Sequence, residues 1–351
     1  MDEKILNALK SVIYPGFKKS IVDFGFIKAT NPKISVHIPS SKPQIKEQLI
    51  NEISALNLGV ECEIITPELK DTAQNSAPKN KNIAPQIKHF VMISSGKGGV
   101  GKSTTTLNLA ISMAKMGKKV GLLDADIYGP NIPRMMGATL ARASLKGNKL
   151  SPLLSHGIEM MSMGVLIEPN QSLIWRGAMI MKAIEQLLNE VAWSELDVLF
   201  LDMPPGTGDA QLSLAQNVPV SLGVCVTTPQ TVALDDSARA LDMFSKLNIK
   251  IGGIIENMSG FICPKCGEKY DIFGSGEGVS ALAKSYDTKV IAQIPIEPAI
   301  RQGGDSGKPI SFYEPNSTSA KAYASAAHTL WQALQDLDNS GGADNSAIQP
   351  N

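Results

Sequence analysis

The sequence predicts an α/β fold, a mostly parallel sheet flanked by helices and preceded by a small α+β domain. Three observations predict it. Beyond residue 87, short apolar strand runs alternate with segments of helical period, the rhythm of a parallel sheet. A glycine-rich turn, Gly96-Lys97-Gly98-Gly99-Val100-Gly101-Lys102-Ser103-Thr104, falls between the first of those strands and the helix behind it. Hydrophobic residues make up 43% of the 351-residue chain and aromatics only 5%, which fits sheets built from Val, Ile, Leu and Ala.

Residues 1–70 read as the small α+β domain: a helical start, then Ile34, Val36 and Ile38 alternating as in a strand, a polar helix from Gln44 to Leu56, and a half-buried strand from Val60 to Ile65. The expected order is αββαβ. Residues 71–86 turn to Asp, Gln, Asn, Ser, Lys and Pro, the composition of a flexible linker. Residues 87–337 form the large domain. Its strands are expected at Phe90–Ser94, Lys119–Leu123, Leu196–Leu201, Ser221–Val226, Ile251–Ile255 and Val290–Ile294. Ile180, Ala183, Ile184, Leu187, Leu188 and Val191 mark its clearest helix, and a last helix is expected from Ser319 to Leu337. The polar residues 338–351 are expected to be a disordered tail.

Lys plus Arg and Asp plus Glu both total 33, so no global field draws the chain onto nucleic acid or an anionic membrane. The amino terminus lacks the basic start and apolar core of a signal peptide, and no apolar run approaches the roughly 20 residues that span a bilayer. We therefore expect a soluble, cytoplasmic protein with no membrane or nucleic-acid partner. Four cysteines in a chain of this kind point to free, metal-bound or reactive thiols and not to a disulfide framework.

A glycine-rich turn between strand and helix lets backbone N–H groups converge on phosphate oxygens, and the helix amino terminus adds its dipole. Gly96 to Thr104 is thus the candidate phosphate loop for ATP. Lys102 supplies a point charge to the terminal phosphates and Ser103 a hydroxyl ligand for Mg2+. The extra lysine, Lys97, resembles the deviant P-loop of the MinD, ParA, nitrogenase-iron-protein and Mrp families. In those families it reaches the nucleotide of a partner subunit, so the resemblance implies a P-loop NTPase fold and an ATP-dependent homodimer. Two acidic segments follow at strand ends, where open α/β sheets bind ligands: Asp124-Ala125-Asp126, and Asp202 ahead of Met203-Pro204-Pro205-Gly206-Thr207-Gly208-Asp209. The resemblance implies that Asp126 orients the attacking water, that Asp124 and Asp202 hold the magnesium shell, and that Gly206 to Asp209 senses the γ-phosphate. It also matches Asn257 and the loop from Pro295 to Pro298 to adenine contacts. Lys97, Lys102 and Asp126 are the candidate catalytic residues.

Cys263-Pro264-Lys265-Cys266-Gly267 puts two thiolates on one side of a tight turn. Two per chain are too few for a tetrahedral zinc site or a cubane cluster, and a homodimer supplies four. Three readings compete: a bridging iron–sulfur cluster, a shared structural zinc, and a redox pair. The redox reading is the weakest, because that motif starts a helix in a different fold; spacing does not separate zinc from iron. Cys62 and Cys225 fall within predicted strands and read as small core residues.

The run from Lys97 through Asp126, the segment Tyr128-Gly129-Pro130-Asn131-Ile132-Pro133, the segment Met203 to Asp209, and the cysteine pair with Ile272-Phe273-Gly274 together resemble the Mrp/ApbC family of iron–sulfur cluster carriers. The resemblance spans about Ile87 to Leu337. It implies a homodimer that binds and slowly hydrolyses ATP, holds a labile 4Fe-4S cluster between paired Cys263 and Cys266, and hands it to apo iron–sulfur proteins. Where the family's small domain often has an acidic pair, this chain has Tyr14-Pro15-Gly16-Phe17, so no role of those acids transfers. The alternative is a MinD/ParA-type spatial regulator, which needs a membrane- or DNA-attachment surface.

Overall fold

The computed structural model describes residues 3–13, 15, 20–30, 33–38, 43–56, 58–60, 62–65, 82–126, 129–165, 177–206, 208–263 and 265–340. Most of the expected linker, the tail beyond residue 340, the Tyr14 to Phe17 segment apart from Pro15, and Tyr128, Thr207 and Pro264 of the motifs lie outside them. The chain divides into two compact units, Met1–Ala77 and Pro78–Asn351.

The small unit carries α1 (Glu3–Leu9), β1 (Ile27–Thr30), β2 (Lys33–His37), α2 (Pro43–Ala55) and β3 (Cys62–Ile65). β1 and β2 pair antiparallel, and the α2 crossover brings β3 alongside β2 in parallel. Leu9, Ile21, Val36 and Leu49 are fully buried and form the centre of its core.

In chain order the large unit carries β4 (Ile87–Ser94), α3 (Lys102–Lys115), β5 (Val120–Asp124), α4 (Ile132–Met135), β6 (Leu145–Lys146), β7 (Lys149–Leu150), β8 (Leu153–Ser155), β9 (Ile158–Ser162), α5 (Gly177–Asn189), β10 (Leu196–Asp202) and α6 (Asp209–Asn217). There follow β11 (Val220–Thr227), α7 (Thr231–Lys246), β12 (Ile251–Ile262), β13 (Lys269–Tyr270), α8 (Glu277–Ser285), β14 (Val290–Ile296), α9 (Pro298–Ser306), α10 (Ile310–Tyr313) and α11 (Thr318–Asn339). The sheet order is β13-β12-β11-β4-β10-β5-β9-β8, with β14 also pairing β12. Every pairing is parallel except β12 with β13 and β8 with β9. This is an α/β P-loop NTPase fold, a mostly parallel sheet flanked by helices.

The central strands are apolar on both faces because both faces are covered. Phe90 and Met92 of β4 pack into one core with Leu187 of α5 and Phe244 of α7, while Val91 and Ile93 pack into the other with Leu107 of α3 and Tyr323 of α11. Several expected bounds differ, among them the ends of β12 and α11. β12 continues seven residues past Ile255, carried by pairing with β13 and β14 through a stretch whose Ser259 and Gly260 break the apolar pattern. α11 runs two residues past Leu337, into the segment expected as tail. Among the described residues no helix is long and apolar enough to cross a membrane.

Candidate functional site

The turn from β4 into α3 is shaped by contacts only glycine permits. Gly96 lies so close to α7 that a Cβ there would overlap the backbone of Asp236 and Ser237. Gly101 caps α3 at φ 86°, and a Cβ on it would run into the Asn257 amide. That amide donates to the Val100 carbonyl at 2.8 Å, tying the loop to β12. Asn257 therefore lies inside β12, not after it as the pattern predicted. α3 begins at Lys102, so its amino terminus and dipole face the turn.

The loop opens onto a cleft of about 670 Å³. Gly98, Gly99, Ser103 and Thr104 line its floor together with Lys97 and Lys102; Asp126 and Asn257 line its sides, and Pro295 to Glu297 a further wall. The structure thus gathers the loop, Asp126, Asn257 and, of the Pro295–Pro298 segment, Pro295 to Glu297 at one opening.

Beneath the loop stand two carboxylates. Parallel pairing of β5 with β10 sets Asp124 directly beside Asp202, and both are buried. Lys102 Nζ lies 2.8 Å from Asp202 Oδ1 and 3.2 Å from the Ser103 hydroxyl. The Thr106 hydroxyl lies 2.8 Å from that same Asp202 oxygen. Asp202 Oδ2 is buried and has no hydrogen-bond partner among the described residues. Asp124 Oδ2 accepts from the Ser162 hydroxyl at 3.0 Å, and its Oδ1 from the Asp126 amide at 3.2 Å. Burial, and then the neighbouring Asp202 charge, hold the Asp124 carboxyl well above the usual carboxylate range. An orphaned carboxylate oxygen beside a second carboxylate and a serine hydroxyl is a hard-oxygen donor set that fits Mg2+. Asp126, nearer the opening, accepts from the Gly129 amide at 3.3 Å.

Thr106 and Ser162 belong to this site although the motifs do not name them. Thr106 was within reach of sequence reasoning, one turn along from Lys102 on the same helix face. Ser162 was not, because its partner is set by the pairing of β5 with β9.

The cysteine pair is placed away from the cleft lining, in the turn between β12 and β13. Glu268 O accepts from the Cys263 amide at 2.9 Å and Cys263 O from the Gly267 amide at 2.8 Å, which closes the turn. Cys266 is exposed and Cys263 partly so. Hydrogen bonds from the backbone amides of Cys266 and Lys265, and then from the Cys266 side chain, pull the Cys263 thiol below its usual range, toward the thiolate that binds metals. Burial does the opposite at the other two cysteines, raising Cys62 and pushing Cys225 up to about 12.

Known proteins resemble this chain along most of its length. Residues 86–331 match the profile of the NUBPL iron-transfer P-loop NTPases, in the ParA group. The chain is 50% identical to an iron-sulfur cluster carrier protein of Helicobacter pylori, over 99% of this chain and 97% of that one. Among solved structures, a nucleotide-binding protein of Archaeoglobus fulgidus in complex with ADP matches 69% of this chain and 96% of its own, at 36% identity and a TM-score of 0.58. The cell division ATPase MinD of Pyrococcus furiosus matches 70% of this chain and 98% of its own, at 21% identity and a TM-score of 0.52, a likeness of fold alone.

Proposed function

Because the chain belongs to the family of NUBPL iron-transfer P-loop NTPases, we propose that it is an ATP-hydrolysing iron–sulfur cluster carrier. It holds a labile 4Fe-4S cluster at a homodimer interface and transfers it to apo-proteins in the cytoplasm. The observation that carries this reading is the hairpin turn. It presents two cysteines to solvent, one of them biased toward thiolate, in the turn that follows the strand touching the phosphate loop. Thiolates are the ligands iron–sulfur clusters require, and two chains meeting at this turn bring the four that a cubane needs. The H. pylori relative, similar along nearly the whole chain, is named for that cargo.

In the cleft, amides of Gly98 to Ser103 cradle the phosphates, and Lys102 exchanges its contact with Asp202 for the terminal phosphates. Asp124, Asp202 and Ser103 would hold Mg2+, which neutralises phosphate charge when bound. Asp126 orients the water that attacks the γ-phosphate, giving ADP and inorganic phosphate. Lys97 lines the cleft opening and reaches the partner subunit's nucleotide. Turnover is slow because the chemistry serves a binding cycle and not metabolic flux.

Anaerobic reconstitution with iron and sulfide, followed by visible absorbance and iron counting, tests the proposal. The wild type should take up one cluster per dimer, and a Cys263→Ser, Cys266→Ser variant none. Stoichiometric zinc with no cluster in the wild type would defeat it.

A further inference from the structure

The segment Ile272-Phe273-Gly274 resembles the family pattern, yet neither phosphate chemistry nor metal binding by thiolates accounts for it. The structure gives it a place. Phe273, seven residues beyond Cys266, is half-buried and lines the same cleft as the phosphate loop. The residues entering the hairpin line that cleft too: Asn257, bound to Val100, and Met258, held at φ 55°, a left-handed conformation that costs a non-glycine residue energy. The cysteine turn is therefore suspended between two points on the wall of one cleft.

The downstream point is anchored just after Phe273. The backbone of Gly274 packs against Pro229 at the end of β11, where a Cβ would stand 3.4 Å from it. Gly276 lies against the carboxylate of Glu256, where a Cβ would come within 2.8 Å of Oε1. Glu256 is fully buried, precedes Asn257 in β12, and accepts from the Gln293 amide at 2.8 Å. Past Phe273 the chain thus lies close to Pro229 and Glu256, while β12 still pairs β14 as far as Phe261, and the turn that carries Cys263 and Cys266 lies beyond that last pairing. On the upstream side the pairing of β12 with β14 slips between Asn257 and Phe261, an irregularity of the kind that interrupts the ladder locally and bends a strand.

We propose that Phe273 is a nucleotide-contacting residue, and that its contact with bound nucleotide, together with that of Met258, sets the position of the cysteine turn. An aromatic side chain on a cleft wall offers a large apolar face at little cost in conformational entropy. A ligand that fills the cleft contacts both attachment points of the hairpin at once, so its binding free energy depends on hairpin position. By reciprocity, hairpin position then depends on nucleotide. The inference rests on reading the cleft as a nucleotide site, and it requires no cluster.

The test uses the cluster-free full-length chain. The rates of iodoacetamide alkylation at Cys263 and Cys266, resolved from Cys62 and Cys225 by peptide mass spectrometry, are measured without nucleotide and with saturating ADP or ATP. Saturation is set for each variant by titration. In the wild type, nucleotide should change the rate at one or both thiols at least about fivefold, the lower end of typical coupling between sites. In Phe273→Ala the affinity should fall, and at saturation the rates should match those without nucleotide; Phe273→Leu should restore much of the response. An identical wild-type rate with and without nucleotide would overturn the proposal, as would a full response in a saturated Phe273→Ala. Lys102→Ala separates the two readings: wild-type nucleotide affinity in that variant would sink the phosphate-loop assignment itself.

Discussion

Lys102 Nζ and Asp202 Oδ1 are 2.8 Å apart, and both side chains are almost completely buried. Without nucleotide the lysine is thus held by the acid at the end of β10, 100 residues away in sequence. A buried ion pair of this kind gives little net stability, but removing one partner leaves the other uncompensated.

Lys102→Ala should therefore have two effects. ATP turnover should fall by at least about 100-fold, as expected when a charge preorganised for the transition state is removed. The nucleotide-free protein should also lose about 3 kcal/mol of stability, read by urea unfolding, the lower end of the range for broken buried pairs. The lower end applies because Thr106 still donates to Asp202. Unchanged stability would mean that the pair is not formed in solution.

Thr106→Val tests the second partner of the same oxygen. The substitution keeps shape and removes only the hydroxyl, leaving Lys102 to satisfy Asp202 Oδ1 alone. Stability should drop by about 1–2 kcal/mol, and turnover should fall on the order of tenfold, the equivalent of about 1.4 kcal/mol. Steady-state kinetics with a fixed magnesium concentration distinguish this from a role confined to the helix, which would leave kcat unchanged.

The site was unevenly legible in the sequence, and the reason is the range of the interactions that build it. The phosphate loop follows a continuous apolar strand, and Asp124 and Asp202 each close one, so local pattern marks their position at a strand's carboxyl end. Thr106 could be reached by counting one helical turn. Ser162 could not, since it meets Asp124 only through a strand pairing 38 residues apart in sequence. The far half of β12 was missed because Ser259 and Gly260 look like a turn; long-range pairing overrode that local signal. The same miss hid the link between the cysteine turn and the cleft, which depends on β12 being one strand from Ile251 to Ile262.

Asp124 should give the nucleotide-free protein a pH dependence of stability. Its folded-state pKa lies well above the value in an unfolded chain, because burial and Asp202 penalise the charged form. Between those two values the folded state holds a proton that the unfolded state has lost, so stability falls as pH rises through that window. Asp124→Asn removes the titration. In thermal melts with a chelator present, the variant should melt higher than the wild type at pH 8, and the difference should shrink toward pH 4. A difference that does not vary with pH would show that Asp124 is charged throughout.

Two glycines of the loop should respond to alanine in opposite ways, and the contrast separates loop shape from phosphate access. Gly101 is at φ 86°, and a Cβ on it would strike the Asn257 amide that holds Val100. Gly101→Ala combines left-handed strain of about 1–2 kcal/mol with loss of that clamp, so it should lower the melting temperature even without nucleotide. Gly98 is not in the left-handed region, and a Cβ there meets nothing within 4 Å. Gly98→Ala should accordingly leave the nucleotide-free melting temperature within error of the wild type. The added methyl group does project from a loop residue that lines the cleft, where phosphate oxygens approach the backbone. ATP affinity should therefore fall, by on the order of tenfold if one backbone hydrogen bond of about 1.5 kcal/mol is lost. Calorimetric titration beside thermal melts reads both quantities. A Gly98→Ala variant that loses stability but binds ATP normally would mean that the loop is held together differently from the arrangement described.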